Sequence, residues 1–174
     1  MKLPVIVLAG ALSFAATSAL PQGAAPNDAQ IAHIVVTANQ VDIDAGKLAQ
    51  QKGSSAEVKA FGKQMVTDHT GVNKQATALA TKLKVKPEDN PTSQSIKKGG
   101  ADNVANLKGL KGAAFDKAYI DHEIAYHQQV LDAIDKTLVP NAKNAELKDL
   151  IVKVRPAFVA HLEHAKMIQG TLGK

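Results

Sequence analysis

The chain has 174 residues, of which 45% are hydrophobic and 21% charged, which is typical of a single globular domain. It contains no cysteine, so disulfides, thiolate metal sites and cysteine nucleophiles are excluded. Aromatic residues make up only 3%, too few for a surface that stacks single-stranded nucleic acid or sugars. The formal net charge of +5 is modest for this length, and we expect no nucleic-acid partner.

The N-terminus has the pattern of a secretory signal peptide. Lys2 supplies a positive charge, an apolar run covers residues 3–16, and small residues follow as far as Ala19. The run is too short for a transmembrane helix, which needs about 20 apolar residues. These features predict export of the protein to the bacterial periplasm.

The export prediction divides the chain into three parts. We expect a cleaved signal peptide at residues 1–19, a flexible stretch at residues 20–27 and one folded domain at residues 28–174. Cleavage after Ala25 is the alternative. No other segment approaches membrane-spanning length, so the mature protein is expected to be soluble.

Helical spacing of apolar residues, without alternating β-branched runs, predicts an all-α protein. Asp28 is a candidate N-cap for the first helix, and Ser54 with Glu57 forms a candidate capping box for the second. Pro156 lies inside the fourth helix and should bend it. The predicted helices cover residues 28–52, 54–84, 113–138 and 143–172, and their apolar stripes predict a four-helix bundle.

The connection between the second and third helices differs from the other two. It covers residues 86–111 and contains two prolines and three glycines, including Gly99 and Gly100. We predict a long irregular connection with one short helix at residues 102–107. A connection of this length allows the second and third helices to run parallel as well as antiparallel.

Four polar residues interrupt the apolar stripes, one in each helix: Asp42, His69, His127 and His161. Each lies near the midpoint of its helix, so all four are predicted to meet at one level of the core. A buried imidazole or carboxylate is costly unless it is hydrogen-bonded or binds a metal. Three imidazoles and a carboxylate suit one divalent ion such as Zn²⁺ and are acceptable to Cu²⁺ or Ni²⁺. The alternative is a metal-free polar layer that fixes the register of the helices.

Three neighbours could supplement this site. Asp68 precedes His69, Glu123 lies one turn before His127, and His164 lies almost one turn after His161. The alternative for each of them is a solvated position on the flank of its helix.

No motif for catalysis or nucleotide binding is present in the sequence. It has no G-x-S-x-G, no phosphate-binding loop, no G-x-G-x-x-G and no H-E-x-x-H. No acid–base pair or nucleophile can be identified, so an enzyme ranks behind a metal-binding bundle and a structural or interaction module.

Lysines are concentrated in residues 82–117. This stretch has eight lysines and four acidic residues, a net charge of +4. It is interpreted either as a loop kept soluble by its lysines or as a contact with an anionic surface of the cell envelope.

Two segments carry a resemblance to a known family. Residues 65–69 read Met-Val-Thr-Asp-His, and residues 115–119 read Phe-Asp-Lys-Ala-Tyr. Because of these two segments and the order in which they occur, residues 29–172 resemble an exported bacterial family of unknown function, DUF4142. Its members are often labelled outer-membrane proteins. The resemblance implies a ferritin-like four-helix bundle and export, and it implies no reaction.

The resemblance also bears on the metal site. The family pattern has Glu where this chain has Asp42, so Asp42 reaches less far than the family's side chain. A di-iron site would need Glu three residues before two of the histidines. Those positions are Ile124 and Phe158 here, so di-iron chemistry is not expected.

Overall fold

The computed structural model describes residues 25–172, and every regular element in this range is helical. The prediction of an all-α fold with four long helices is confirmed. In chain order the elements are α1 (Asp28–Lys52), α2 (Ala56–Lys82), α3 (Pro91–Gly109), α4 (Gly112–Ala133), a π-helical segment (Ile134–Leu138), α5 (Val139–Asn141) and α6 (Ala145–Thr171). The predicted signal peptide lies outside the described residues. No described helix is long and apolar enough to cross a bilayer.

The two predicted N-caps are each off by one residue. Asn27, not Asp28, caps α1 and forms a capping box with Gln30. Ser55, not Ser54, caps α2 by accepting a hydrogen bond from the amide of Val58. In both cases the residue predicted as a cap contacts a distant part of the chain, which only the tertiary structure reveals.

Ser54 instead joins the start of α2 to the start of α4. The buried carboxylate of Asp116 accepts hydrogen bonds from the Ser54 amide at 2.8 Å, the Ser54 hydroxyl at 2.5 Å and the Ser55 amide at 2.8 Å. Amides at a helix N-terminus have no intrahelical acceptor, and the helix dipole favours a negative charge there. Asp116 therefore fixes the starts of two helices at one end of the bundle.

The contacts at the helix ends establish the direction of each helix. The start of α2 meets the start of α4 at Asp116, so α2 and α4 run in the same direction. The end of α6 contacts both helices near their starts, since Gln169 donates to Asp121 at 2.6 Å and Thr171 lies next to Glu57. The parallel arrangement that the long connection allowed is therefore the one observed, with α6 antiparallel to both.

The prediction of an irregular connection is wrong, because residues 91–109 form the helix α3. Asn90 caps α3 with a capping box to Ser93, and Pro91 occupies the first helical turn, where its missing amide is no loss. Gly99 and Gly100 lie inside the helix. A Cβ added at Gly100 would lie 2.5 Å from the methyl groups of Val41, so this glycine permits close packing of α3 on α1.

A second pair of glycines brings α1 and α2 together. A Cβ added at Gly46 would lie 2.8 Å from the carbonyl oxygen of Gly62, and one added at Gly62 would lie 2.7 Å from that of Gly46. The two backbones therefore touch where the helices cross. This crossing fixes the spacing of α1 and α2 about one turn from Asp42 and two turns from His69.

The predicted third helix changes its hydrogen-bonding pattern before it ends. The α-helix stops at Ala133, and a π-helical segment continues it to Leu138. The predicted fourth helix is confirmed as α6, with Pro156 inside it. One apolar cluster lies around Phe158 and another around Phe61. The polar residues of the core form a separate layer between these two clusters.

Candidate metal centre

Three histidines from three helices meet in the core of the bundle. His69 of α2, His127 of α4 and His161 of α6 are 2%, 0% and 3% exposed. Their ring centroids are 5.3–5.7 Å apart, and each ring offers one nitrogen within 4.8 Å of the others. The structure therefore brings together three of the four residues that were predicted to meet at one level of the core.

The orientation of the His69 ring is set by Asn39 of α1. The side-chain amide of Asn39 donates to the Val35 carbonyl at 2.7 Å, so its oxygen must face His69 as an acceptor. That oxygen lies 2.6 Å from Nδ1 of His69. We therefore assign the proton of His69 to Nδ1. Nε2 is then unprotonated, and its lone pair is directed into the cluster.

The other two histidines are held in the same way by different partners. Nδ1 of His127 lies 3.0 Å from the Glu123 backbone carbonyl, so it carries the proton and Nε2 is free. Nε2 of His161 lies 2.9 Å from the Asp68 carboxylate, so here Nδ1 is free. A second hydrogen bond that fixes the tautomer and orients the ring is typical of histidines that bind metals.

Asp42 of α1 supplies the carboxylate. Its Oδ2 atom lies 3.0 Å from Nε2 of His69 and 3.5 Å from Nε2 of His127. Neither oxygen of Asp42 makes an aligned hydrogen bond with any described residue, and the same is true of the free nitrogens of His69, His127 and His161. Lone pairs that face each other at such distances repel unless a proton or a metal ion lies between them.

The charge of Asp42 depends on its neighbours. Burial raises the pKa of this carboxyl group. When the His69 ring is protonated on both nitrogens, its positive charge and its Nε2–H, with the smaller effect of His127, outweigh burial and lower the pKa of Asp42 below its ordinary value. Burial lowers the pKa of His127 to about 4, and it lowers the pKa of His161 as well. At neutral pH the site therefore presents an ionised carboxylate and two neutral imidazoles, the protonation states in which these groups bind metals.

Glu123 and Tyr119 lie behind the site on α4. Glu123 is buried, with Oε2 at 3.5 Å from Nδ1 of His127, and it forms a second group with Asp42 and His127 whose ligand atoms lie within 4.8 Å. Burial and the negative charge of Asp42 raise the pKa of Glu123 well above its ordinary value. The hydroxyl of Tyr119 is buried beside it.

The chain matches one family of proteins. The family described as "Domain of unknown function (DUF4142)" matches residues 13–168. The chain belongs to this family. None of the curated proteins matches it.

One solved structure is similar to this DUF4142 chain, that of "CopM in the Cu(II)-bound form". The TM-score is 0.66 at 16% sequence identity, over 84% of this chain and 98% of the CopM chain. The likeness establishes that the two proteins share a helical fold.

The structure separates the three supplementary candidates. Glu123 lies in the core next to the site, and Asp68 contacts His161 from the surface, with its side chain 41% exposed. His164 lies apart from the cluster, because it pairs with Gln64 at 3.1 Å and packs edge-on against the Phe61 ring.

Sequence reasoning missed Asn39 and gave Tyr119 no role. Asn39 is 2% exposed, and it lies one turn before Asp42 on the same helix face. That spacing was the available signal, since a polar residue one turn from a candidate ligand is placed to support it.

Proposed function

We propose that the protein binds one divalent metal ion through His69 Nε2, His127 Nε2, His161 Nδ1 and the Asp42 carboxylate. One observation carries the proposal. The free nitrogen of each histidine and both oxygens of Asp42 are buried without a hydrogen-bond partner among the described residues, while the other ring nitrogen of every histidine is hydrogen-bonded.

A metal ion accounts for this arrangement better than a metal-free polar layer does. A polar layer that only fixes helix register satisfies its groups mutually, because buried polar atoms without partners are costly. Here the hydrogen bonds of the histidines go outward, to Asn39, to the Glu123 backbone and to Asp68. The free nitrogens of His69 and His127 face Asp42 at 3.0 and 3.5 Å, and the free nitrogen of His161 faces these two histidines. A proton shared by Asp42 and His69 would satisfy one pair and would leave His127 and His161 unpaired.

The donor set narrows the choice of metal. Three imidazoles and a carboxylate are nitrogen and oxygen ligands of borderline character, which suit Cu²⁺ and Zn²⁺ and disfavour Mg²⁺ and Ca²⁺. Cu²⁺ binds such sites more tightly than Zn²⁺. The Cu(II)-bound CopM structure, which has a similar fold, supports copper as the first metal to test. Bound there, the ion would add its positive charge to the core beside Asp42.

We infer a binding role for the site, in metal sensing, buffering or stabilisation of the fold. Parallel helices α2 and α4, joined by a crossing segment, support placement of the bundle in the ferritin-like class. The signal-like residues 1–19 support export to the periplasm. Sequencing the N-terminus of protein recovered from the periplasm of expressing cells tests export, and an intact Met1 on protein retained in the cell contradicts it.

The metal proposal is tested by titrating the purified, chelator-treated protein with Cu²⁺ and with Zn²⁺ against a competing chelator. We expect one ion per chain, and we expect His127→Ala and His161→Ala each to weaken binding sharply. His33→Ala is the matched control, because His33 lies on α1 outside the cluster. If neither ion binds below millimolar concentration while circular dichroism shows a folded helical protein, the metal-free layer is correct.

A further inference from the structure

The helix α3 lies outside the four long helices and leaves one long face uncovered. It packs on α1 through Ser93, Gly100 and Leu107, which are spaced seven residues apart and are its only buried residues. Asn90 at its start contacts Gln30, and the carbonyl of Leu107 near its end accepts from Lys52. The two helices therefore run parallel along their whole length.

A groove of about 1180 Å³ runs between α1 and α3. Its floor contains apolar side chains from both helices, including Val36, Leu48 and Val104. Its rim carries Lys97 and Lys108 of α3, which are eleven residues apart and so lie on nearly the same side of the helix. Lys47 and Lys98 also line the groove, as do Asp44 and Asp89, so four lysines and two aspartates surround its apolar floor.

The charge of the protein is concentrated on this side. All eight lysines of residues 82–117 are exposed, and the buried Asp116 of α4 caps the start of α2, so three acidic residues of this stretch remain at the surface. Lys82 and Lys117 pair with Glu146 and Asp121 outside the stretch. In the other described residues, eleven basic side chains accompany ten acidic side chains that are not buried. The excess positive charge therefore lies along α3 and its two ends.

Several of these lysines have no acidic neighbour. Lys98 pairs with Asp102, but neither Lys97 nor Lys108 lies within 4.0 Å of a carboxylate anywhere in residues 25–172. Positive charges that no local acid neutralises are available to an external anionic surface.

We propose that the groove face of α1 and α3 docks on an anionic phospholipid surface. A bilayer fits the observations, because the charge follows the length of a helix rather than converging on a point. Each lysine near such a surface adds attraction, and the apolar floor can accept the acyl region at the headgroup boundary. The association is peripheral and independent of the metal centre, whose ligands are buried on the inner side of the bundle.

Sedimentation of the purified protein with vesicles tests the proposal. The vesicles are phosphatidylcholine alone or phosphatidylcholine with phosphatidylglycerol, at ionic strengths of about 0.01 M and about 1 M, where the Debye length is about 30 Å and about 3 Å. We expect binding only to the anionic vesicles and only at low salt. The double variant Lys97→Glu/Lys108→Glu should bind more than tenfold more weakly, since each lysine near the surface contributes about fivefold.

The matched control is Lys148→Glu/Lys153→Glu on α6, which changes the net charge equally at two exposed lysines that also have no carboxylate within 4.0 Å among the described residues. It should bind like the unaltered protein. Equal loss in both variants would assign the attraction to overall charge and overturn the proposal. Absence of vesicle binding at low salt would also overturn it, and so would binding to soluble polyglutamate without binding to vesicles, which would indicate an acidic protein partner. Metal titration of the same variants is expected to be unchanged, so this result stands apart from the metal proposal.

Discussion

The Oδ1 atom of Asn39 lies 2.6 Å from Nδ1 of His69, and this contact determines which nitrogen of His69 faces Asp42. Asn39 is itself fixed, because its amide nitrogen donates to the Val35 carbonyl at 2.7 Å. If His69 carried its proton on Nε2 instead of Nδ1, an imidazole N–H would point into the site in place of a lone pair. Asn39 thus holds His69 in the tautomer and orientation in which Nε2 can bind a cation.

Replacing Asn39 is therefore expected to weaken metal binding although Asn39 is not a ligand. Asn39→Ala should raise the dissociation constant about 10- to 100-fold, the range typical of residues that orient a metal-binding histidine. Asn73→Ala is the control, since Asn73 donates to the Val36 carbonyl, also at the α1–α2 interface, and makes no side-chain hydrogen bond to a candidate ligand. Chelator competition measures both variants. Equal affinity in Asn39→Ala and the unaltered protein would show that the ring orientation does not depend on Asn39.

The parts of the site that the sequence predicted are those governed by helical periodicity. Asp42, His69, His127 and His161 occupy core positions near helix midpoints, and helices of similar length place midpoints at one level. The support given by Asn39 was not predictable, because the tautomer of His69 depends on contacts made between helices. The role of Asp68 was only a candidate for the same reason.

The parts of the fold that could be predicted from the sequence are also those governed by helical periodicity. The four long helices follow from their apolar stripes, whereas residues 86–111 were predicted as mostly irregular, because their three glycines and two prolines are typical of loops. In the structure Pro91 starts the helix, and Gly100 is required by its contact with Val41. A single sequence does not distinguish a glycine that is needed for close helix packing from a glycine that makes a loop flexible.

Metal removal should lower the thermal stability of the protein. A ligand that binds only the folded state stabilises it by about 2.7 kcal/mol at a concentration of 100 times its dissociation constant. For a domain of this size, that corresponds to a rise in Tm of about 5–10 °C. Calorimetry of the chelator-treated and Cu²⁺-loaded proteins measures the shift.

The His161→Ala variant is the control for this shift, and its Tm should be almost the same with and without metal. A shift of equal size in the variant would place the stabilising ion elsewhere on the protein.

The metal-free protein should lose stability in acid through His127. Burial lowers the pKa of His127 to about 4, against an ordinary value of about 6.5. Between these values the unfolded chain binds a proton that the folded chain does not, so stability falls as the pH falls through this window. The full effect is about 3 kcal/mol. NMR of the imidazole should show His127 titrating near pH 4.

Comparison with His127→Gln isolates this effect. Glu123 acts in the opposite sense, because burial and the charge of Asp42 raise its pKa and the folded state holds its proton more tightly. Glu123 is present in both proteins, so the difference in unfolding free energy between them reports His127. That difference should shrink between pH 7 and pH 4, and urea titrations over this range measure it. A difference that is constant with pH would mean that the His127 ring takes up its proton in the folded state as readily as in the unfolded state.

The crossing of α1 and α2 gives the sharpest test of the backbone packing. A Cβ at Gly62 would lie 2.7 Å from the Gly46 carbonyl oxygen and 2.8 Å from the Ala49 side chain, and a backbone carbonyl cannot rotate away as a side chain can. Gly62→Ala should therefore push the helices apart and destabilise the protein by about 1–3 kcal/mol.

Gly71→Ala on the same helix is the control, because a Cβ there meets nothing within 4 Å. It should be neutral or should stabilise by up to about 1 kcal/mol, the difference in helix propensity between alanine and glycine. Urea denaturation of both variants measures the contrast, and equal stability of the two would mean that α1 and α2 do not touch at Gly46 and Gly62.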